Sequence, residues 1–345
     1  MAFQIIVQPS ALQFEAQADE TLLGAAIRQG VGLPYGCRDG ACGSCKCRKL
    51  SGEVTLGPHQ SKALSEQEQR DGLILACCAT AQSDVVLESK QVVPAGEFPI
   101  KKMPARISEL DRLNDDVIKL RLQLPANETF QYRAGQYVEF LLRDGDRRSY
   151  SMANAPHTQG EQPGVELHLR HMPGGKFTDQ VFGSMKVRDI VRIEGPYGSF
   201  FLREDSDAPM VWVASGTGFA PIKALLEHMM FRDIKRPTTL YWGGRRPHDL
   251  YLHDWVEQTV AQLPHVRYIP VVSDATAEDA WQGRTGFVHR AVMEDFADLS
   301  GYQVYACGAP IVVDSARHDF VQQCGLPEEA FFADSFTSAA DSASI

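Results

Sequence analysis

One stretch decides how the N-terminal part of this chain folds: Pro34-Tyr35-Gly36-Cys37-Arg38-Asp39-Gly40-Ala41-Cys42-Gly43-Ser44-Cys45. Its cysteines are spaced C-x4-C-x2-C, and a Leu-Ala-Cys-Cys run ending at Cys78 follows farther along the chain. Glycines flank the cysteines and permit the tight or left-handed backbone that turns successive N–H groups towards a sulfur. Such a loop gathers thiols in a small volume, and its N–H groups offset negative charge there.

The spacing indicates what these thiols bind. C-x4-C-x2-C with a distant fourth cysteine is the plant-type ferredoxin spacing of a 2Fe-2S cluster. The first three candidate ligands are therefore Cys37, Cys42 and Cys45. The third ligand closes the C-x2-C pair, which favours Cys45 over the neighbouring Cys47. The fourth ligand is Cys77 or Cys78, and the spacing alone does not choose between them.

Two other uses of clustered cysteines fit less well. Structural zinc sites usually contain two C-x2-C elements, whereas this loop contains one. A disulfide framework needs an oxidising compartment, for which the sequence carries no signal. Outside the cluster region, Cys324 is most simply a buried apolar residue.

Length and composition limit the class of protein. A chain of 345 residues, 44% hydrophobic and 23% charged, suits two or three globular domains. The formal net charge of −10 argues against nucleic acid as a partner. The N-terminus has no basic segment followed by an apolar one, and no uncharged apolar run is long enough to span a bilayer. We expect a cytoplasmic protein without a membrane span.

The pattern of strands and helices divides the chain. The first part reads as short strands with one helix around the cysteine loop, and a segment with two prolines and a glycine follows it. Alternating strands then indicate an antiparallel barrel, before the pattern changes to strand–helix alternation typical of a parallel sheet. The predicted divisions are 1–92 (β-grasp ferredoxin), 93–102 (linker), 103–203 (barrel), 204–336 (α/β) and 337–345 (tail).

The barrel region carries residues suited to a flavin. Arg148-Ser149-Tyr150-Ser151 combines an arginine, which can bind phosphate oxygens, with a ring that can stack on a flat heterocycle. Gly174-Gly175 leads into a predicted helix, whose N-terminus would offer N–H groups to a phosphate. Each feature alone is more often an ordinary surface or core residue, but their order and spacing together favour a flavin site.

The parallel sheet carries two glycine turns at predicted strand ends. One is Gly216-Thr217-Gly218, which follows an apolar strand and precedes a helix that we predict over 222–230. The other is Cys307-Gly308-Ala309-Pro310, which precedes a helix that we predict over 314–323. Ligands of parallel sheets bind at the carboxyl ends of the strands, so the two turns together predict a nucleotide site.

With these motifs, the chain from about Phe3 to Phe336 resembles the iron–sulfur flavoprotein reductases, in which a plant-type ferredoxin precedes a ferredoxin–NADP reductase-like module. This family includes reductase components of phenol hydroxylase and benzoate dioxygenase, and CDP-6-deoxy-Δ-3,4-glucoseen reductase. The resemblance implies a 2Fe-2S cluster, FAD rather than FMN because the ferredoxin is N-terminal, and a pyridine nucleotide. It also implies that Cys77, rather than Cys78, is the fourth cluster ligand.

The resemblance further implies roles for individual residues. Arg148 and Ser149 would contact the flavin phosphates, Tyr150 would stack on the isoalloxazine, and Ser151 would lie near its N5 edge. Cys307 would lie beside the nicotinamide as a small polarisable residue, not a nucleophile. Residues implied to line the ribityl and pyrophosphate path are His168, Leu169, Arg170, Gly174, Gly175, Lys176 and Thr178. Residues implied to bind the nucleotide are Gly216, Thr217, Gly218, Pro221, Cys307 and Gly308, and Phe336 would approach the flavin.

The implied activity is the oxidation of a two-electron donor and the transfer of its electrons, one at a time, to an acceptor. Hydride transfer from a nicotinamide to flavin needs no protein acid or base, so the protein's task is alignment. An arginine after the second strand of such a sheet can accept the 2′-phosphate of NADP, and Arg245-Arg246 lie there. Because the named relatives mostly use NADH, we expect NADH, with NADPH as the less favoured donor.

The acceptor is expected to be another protein. The sequence contains no motif for a mononuclear or di-iron centre, so the final substrate is assigned to an oxygenase, hydroxylase or nucleotide-sugar dehydrase partner. One alternative is a redox-sensing regulatory protein, which steady reduction of cytochrome c would exclude. Another is a stand-alone flavin or quinone reductase, which would not need the ferredoxin region.

Overall fold

A computed structural model of the protein describes residues 1–94, 98–159 and 164–337. The chain divides into two compact units. The first unit consists of Met1–Pro99 together with Ala333–Ile345, and the second consists of Ile100–Phe332. The division falls within the segment 93–102 predicted as a linker, of which residues 95–97 lie outside the described part. Most of the predicted tail, 338–345, also lies outside it. The predicted domain limits themselves stay predictions.

The first unit is a small mixed sheet with two helices. Its strands are β1 (Ala2–Gln8), β2 (Leu12–Gln17), β3 (Val31–Gly32), β4 (Lys46–Ser51), β5 (Val54–Leu56), β6 (Leu73–Leu75), β7 (Ala79–Ala81), β8 (Val85–Glu88) and β9 (Val93–Pro94). Its helices are α1 (Leu22–Arg28) and α2 (Glu66–Arg70). Five strands form one sheet in the order β2-β1-β8-β4-β6, in which β1 and β8 run parallel. This arrangement is the predicted β-grasp.

Local sequence explains the two helices of this unit. The side chain of Thr21 accepts a hydrogen bond from the N–H of Gly24 and so caps α1. Ser65 and Glu68 form a capping box at the start of α2, a second helix where the sequence analysis predicts only one. Val93–Pro94, which fall in the predicted linker, instead pair with Val31–Gly32. The first two residues of the predicted linker therefore pair with a strand of the first unit.

The second unit begins with an antiparallel six-stranded sheet. Its strands are β10 (Lys101–Arg112), β11 (Val117–Gln123), β12 (Tyr137–Leu141), β13 (Arg147–Ser151), β14 (Gly164–Arg170) and β15 (Ile190–Tyr197). Helix α3 (Lys176–Gly183) lies between β14 and β15 in the chain. The strand order is β13-β12-β15-β10-β11-β14, so β13 and β14 are the two ends of the hydrogen-bonded order. Alternate residues such as Ile118, Leu120 and Leu122 are buried in the core of the sheet.

A six-stranded sheet with helices completes the unit. Its strands are β16 (Met210–Ser215), β17 (Thr238–Gly244), β18 (Val266–Val272), β19 (Arg284–Thr285), β20 (Gln303–Gly308) and β21 (Phe331–Ser335). Its helices are α4 (Phe219–Arg232), α5 (His253–Val260), α6 (Val288–Asp295) and α7 (Pro310–Gln323). The order is β19-β18-β17-β16-β20-β21, and the pairs from β19 to β20 are parallel. The predicted parallel α/β sheet is confirmed.

Two helices of this sheet begin earlier than the sequence analysis predicted. Helix α4 begins at Phe219 rather than 222, and α7 begins at Pro310 rather than 314. Proline fits the first turn of a helix because its missing N–H has no intrahelical acceptor there. Pro221 and Pro310 therefore lie inside their helices. Among the described residues, no helix is long and apolar enough to cross a membrane.

Candidate redox sites

The predicted cluster ligands lie in the loop between β3 and β4 and directly after β6. The structure brings them together in two pairs. Cys45 Sγ lies 3.2 Å from Cys77 Sγ. In the other pair, the N–H of Cys37 donates to Cys42 Sγ at 3.4 Å, and the N–H of Cys42 donates to Cys37 Sγ at 3.3 Å. Four sulfurs and facing backbone donors form a set of the kind a 2Fe-2S cluster requires.

Hydrogen bonds tie the thiols together in pairs. The hydrogen bond from the Cys37 thiol, with others from Ser44 and the backbone, lowers the pKa of Cys42, and the same shared proton raises the pKa of Cys37. The hydrogen bond between Cys45 and Cys77 likewise raises the pKa of Cys77. Donors that point at a sulfur stabilise its thiolate, which is the form that binds metal, so Cys42 is the thiol of this loop that loses its proton most readily. Four sulfurs with backbone donors fit the cluster.

Gly40 shows how closely the loop is folded. Its φ is +81°, and a Cβ added there would lie 2.7 Å from Cys78 Sγ and 3.1 Å from the backbone of His59. No L side chain fits this position without movement. The glycine predicted from the motif is therefore required both by the backbone angle and by the close approach of a thiol.

The two remaining cysteines of this region differ in position. Cys47 is buried within β4, and burial is the main reason that its pKa is raised to about 12. Cys78 is partly exposed, with its Sγ 3.5 Å from that of Cys77. Cys77 is the more buried of the pair and the one that contacts Cys45. The choice of Cys77 as fourth ligand stays a prediction, with this geometry in its favour.

The residues predicted to hold the flavin ring lie on β13. Tyr150 packs with its ring centroid 5.7 Å from those of both Phe140 and Phe177. Ser151, the next residue, is buried, and the hydroxyl of Ser149 donates to Glu139 at 3.4 Å. Burial also raises the pKa of the Tyr150 hydroxyl, which stays protonated at neutral pH. The ring is thus fixed by its neighbours.

The two end strands of the barrel, β13 and β14, meet beside the predicted flavin residues, and we call their junction the seam. β13 and β14 end the hydrogen-bonded order, and just beyond β13 a bridge pairs Met152 with Leu167 and the N–H of Ala153 donates to the carbonyl of Glu166 at 2.7 Å. Strands at the edge of a sheet carry backbone N–H and C=O groups that no neighbouring strand takes up. The two strands that bear the predicted flavin residues therefore also offer polar backbone groups to a ligand, which fits an isoalloxazine with its polar edges.

The predicted phosphate-binding groups meet at the start of α3. Gly175 precedes the helix, and among the described residues no side chain caps its N-terminal N–H groups. Arg148 and Lys176 both reach Asp146, at 3.2 and 3.1 Å. Thr178 instead holds the turn, since its hydroxyl donates to the carbonyl of Met172 at 2.9 Å. Lys176 also pairs with Asp144 at 2.8 Å, so a pyrophosphate at this helix start would have to take both cations from carboxylates. The phosphate-binding roles of these residues stay predictions.

His168, which the resemblance implies to line the flavin path, contacts protein groups through both ring nitrogens. Its side chain is fully buried, with Nε2 3.0 Å from Glu166 Oε1 and Nδ1 3.0 Å from the hydroxyl of Tyr251. The side chain of Leu169 is buried in the barrel core. These contacts commit both side chains to the protein, so their contact with the flavin stays a prediction.

Arg170 is also engaged by protein groups. It bonds to Asp116 through two nitrogens, at 2.7 and 2.8 Å, and lies 3.4 Å from Asp249. A Cβ built on Gly216 would lie 3.2 Å from a guanidinium nitrogen of Arg170. The arginine therefore connects the flavin strand β14 to the nucleotide loop. The predicted loop Gly216-Thr217-Gly218 forms one 3-10 turn that runs into α4, where Pro221 is buried.

The two predicted nucleotide turns touch each other. A Cβ on Gly218 would collide with the carbonyl oxygen of Cys307 and lie 2.6 Å from its carbonyl carbon. The N–H of Ala309 donates to Ser215 Oγ at 2.9 Å, and the indole of Trp242 donates to the Gly216 carbonyl at 3.0 Å. Cys307 is buried and Gly308 ends β20. The ends of β16 and β20 thus form one surface, where a parallel sheet binds its ligand.

Comparisons with known proteins decide the family. Residues 5–82 match a family model described as 2Fe-2S iron-sulfur cluster binding domain, 104–202 one described as oxidoreductase FAD-binding domain, and 212–318 one described as oxidoreductase NAD-binding domain. The CDP-6-deoxy-L-threo-D-glycero-4-hexulose-3-dehydrase reductase of Yersinia pestis is 38% identical over 97% of this chain and 99% of its own length. The chain belongs to the iron–sulfur flavoprotein reductases.

Other relatives of this reductase serve different systems. Reductase component 1 of terephthalate 1,2-dioxygenase from Comamonas sp. is 36% identical and covers 98% of both chains. The crystal structure of the Amycolatopsis cytochrome P450 reductase GcoB is 33% identical, with a TM-score of 0.78 over 98% of this chain and 99% of that chain. The predicted family, fold and activity are confirmed: the protein is an NAD(P)H-dependent oxidoreductase with sites for a 2Fe-2S cluster, FAD and a nicotinamide nucleotide.

Some residues of the reductase's sites were missed by the sequence analysis. Glu166 and Lys223 are buried partners of one another, and Asp249 accepts hydrogen bonds from two backbone N–H groups. Only Asp249 carried a local signal, because it follows a proline by two residues in a helix-capping pattern. Phe336 follows β21 and is partly buried, and its approach to the flavin stays a prediction.

Proposed function

We propose that this reductase oxidises NADH and passes the electrons, one at a time, to a separate protein. When bound, FAD accepts a hydride and the 2Fe-2S cluster carries single electrons, so the pair converts a two-electron donor into two one-electron deliveries. The observation that carries the proposal is that one chain holds a converging cysteine loop and also a flavin and nucleotide unit. A flavin reductase acting on small molecules would not need the cysteine loop.

The proposed roles of the protein residues are binding and alignment. Arg148 and Lys176 would hold the flavin phosphates at the start of α3, and Tyr150 would pack against the ring. Ser151 would lie at the reactive edge. The turn at Gly216–Gly218 and the strand end at Cys307 would place the nicotinamide. None of these groups has to give or take a proton, since hydride passes directly between the two cofactors.

The preference for NADH rests on the state of Arg246. One guanidinium nitrogen lies 2.8 Å from Asp279 and 2.9 Å from the hydroxyl of Thr276. Asp274 and Glu278 add negative charge close to it. An arginine engaged in this way is poorly placed to receive a 2′-phosphate, and the surrounding carboxylates repel one. Of the two arginines that counted for NADPH in the sequence, Arg246 thus counts for it much less. Arg245 is 69% exposed and lies 3.6 Å from Asp249, so it still counts for NADPH.

The partner is proposed to be an oxygenase or hydroxylase component, or a nucleotide-sugar dehydrase. The relatives named for a dehydrase and for a dioxygenase differ by two percentage points of identity, which does not separate the two classes. None of the eight cysteines forms a disulfide in the described part of the structure, in keeping with the reducing cytoplasm, where we propose that the protein works. Genes adjacent to that of the reductase would indicate which partner class to purify.

Activity with two artificial acceptors tests the proposal. The purified holoenzyme should reduce both ferricyanide, which accepts electrons from flavin, and cytochrome c, with NADH as donor. Cys42→Ser should lose the 2Fe-2S absorbance and most cytochrome c reduction while it keeps FAD and ferricyanide reduction. Cytochrome c reduction at the wild-type rate by this variant would contradict electron exit through the cluster. Absence of any NADH-dependent reduction would contradict the proposed function altogether.

A further inference from the structure

A buried network of charged groups joins the flavin barrel to the nucleotide sheet. Lys223 of α4 lies at its centre. Its Nζ is 3.2 Å from Glu166 of β14 and 2.6 Å from Glu227, and it donates to the carbonyl of Ala153 at 3.1 Å. Glu227 in turn accepts the N–H of Ala155 at 2.8 Å. One lysine thus connects a helix of the sheet to two segments of the barrel.

The network is enclosed rather than superficial. The exposed fractions of the Lys223 and Glu166 side chains are 9% and 11%, and that of His168 is 0%. Burying charges costs free energy unless they are paired and hydrogen-bonded, and here each carboxylate has a cation or N–H donor. Surface ion pairs contribute little, but a pair buried in this way constrains the elements that carry it.

The protonation states fit a fixed geometry. Burial lowers the pKa of His168, so its ring is neutral at pH 7, and burial keeps the Tyr251 hydroxyl protonated. The Tyr251 hydroxyl therefore donates to Nδ1 of His168, and Nε2–H donates to Glu166. Glu166 remains a carboxylate, because its hydrogen bond from His168 and the charge of Lys223 outweigh burial. In the series from Tyr251 through His168 to Glu166, each donor therefore has one acceptor.

The network lies between the two elements that must be aligned. Lys223 is in the second turn of α4, which begins directly after the nucleotide turn Gly216–Gly218. Glu166 lies on β14, one of the two seam strands of the barrel. Neither residue belongs to the set predicted to contact FAD or nucleotide. Their effect on those ligands must therefore pass through the position of α4 relative to β14.

We propose that Lys223 and Glu166 are positioning residues for hydride transfer, which hold the nucleotide turn at a fixed place relative to the flavin strand. The inference rests on the proposed oxidation of a nicotinamide nucleotide by the flavin, and it adds the residues that set the alignment. Hydride transfer needs the reacting atoms at about 3–3.5 Å, and a misplacement of about 1 Å can cost about 100-fold in rate. Loss of the network should therefore reduce turnover more than binding.

The test compares Lys223→Met with Lys223→Arg in the full-length holoenzyme. Methionine keeps much of the volume but removes the charge, whereas arginine keeps the charge. We expect kcat for NADH-dependent ferricyanide reduction to fall at least about tenfold in Lys223→Met, with KM for NADH within about twofold of wild type. Lys223→Arg should recover most of kcat. Lys101→Met is the matched control, because Lys101 also pairs with a carboxylate, Glu128, at 2.9 Å but outside the network.

A second readout does not depend on turnover. Amide hydrogen exchange, followed by mass spectrometry, should become faster in 153–155 and 216–224 of Lys223→Met and stay unchanged in the control. FAD content, from the ratio of absorbance at 450 and 280 nm, should equal that of wild type in both variants. If Lys223→Met does not fold, Glu166→Gln takes its place, with the same expected loss of kcat and faster exchange.

Several results would overturn the inference. Wild-type kcat in Lys223→Met would do so, as would a fall in kcat explained by lost FAD, or exchange that stays unchanged in both segments. A rise in KM with unchanged kcat would show a binding role instead. Failure of the proposed function is distinguishable, because wild-type protein would then lack NADH oxidation while the difference in exchange between variants would still be measured.

Discussion

A methyl group added at Gly218 should misalign the nucleotide site. The Cβ of Gly218→Ala would collide with the carbonyl oxygen of Cys307 and lie 2.6 and 2.7 Å from its carbonyl carbon and from the Cα of Gly308. All three atoms belong to backbone, so no flexible side chain can move aside. The ends of β16 and β20 would have to separate.

The size of the effect follows from these distances. Ordinary contact between carbon atoms needs about 3.5 Å, so the two turns must part by about 1 Å. Overpacking of this kind costs about 1–3 kcal/mol of stability. A displacement of about 1 Å at a site that aligns reacting atoms can lower the rate about 100-fold. We therefore expect kcat for NADH oxidation to fall by up to about two orders of magnitude in a protein that still folds.

The assay measures NADH-dependent ferricyanide reduction, FAD content and thermal unfolding for each variant. Gly301→Ala is the matched control, since it lies in the same sheet region and a Cβ there meets no atom within 4 Å. The control should match wild type in all three measurements. If Gly218→Ala kept wild-type kcat with retained FAD, the two turns would not form one nucleotide surface and the argument would be refuted.

Three further predictions follow from the same structure. Cys77→Ser should lose the visible 2Fe-2S absorbance and Cys78→Ser should keep it, because Cys77 is the thiol that contacts the remaining ligand set. Asp279→Asn should raise the ratio of kcat/KM for NADPH to that for NADH about tenfold by freeing Arg246. Glu166, with its pKa lowered from 4.5 to about 2, should contribute about 3 kcal/mol of stability above pH 4.5 that is lost as pH falls towards 2.

Controls and contrary outcomes differ among the three. Cluster absorbance that survives in Cys77→Ser but not in Cys78→Ser would reverse the ligand assignment. For the coenzyme prediction, Glu53→Gln is the control, since Glu53 is an exposed carboxylate of the first unit and is absent from the groups that act on Arg246. For the pH prediction, urea unfolding of wild type and Glu166→Gln is compared at pH 6 and pH 3. An equal difference at both pH values would exclude the lowered pKa.

Most of the fold could be predicted from the sequence because the relevant signals are local. Cluster ligands repeat at short spacing in one loop, and alternation of strands and helices is visible in windows of about ten residues. The glycine at Gly40 could be recognised for the same reason. The largest displacements of helix starts are those of α4 and α7, whose first turns contain Pro221 and Pro310, residues that the sequence analysis left outside the helices.

Contacts between distant parts of the chain could not be predicted. Nothing near Lys223 indicates that Glu166 is its partner, and Asp279 gives no local sign that it engages Arg246. Nothing in the sequence near His168 indicates that its ring contacts Glu166 and Tyr251, and its contact with the flavin stays a prediction. Pairing of this kind depends on how two elements pack, which a pattern within one element does not encode.

The seam between β13 and β14 has a consequence for the flavin-free protein. The ends of the barrel meet only just beyond β13, through the Met152–Leu167 bridge and the hydrogen bond from Ala153 to Glu166, so the rest of both strands keeps a free edge. A flavin seated there would cover this edge as well as react. Removal of flavin would then expose the edge, and we expect the barrel to open there first.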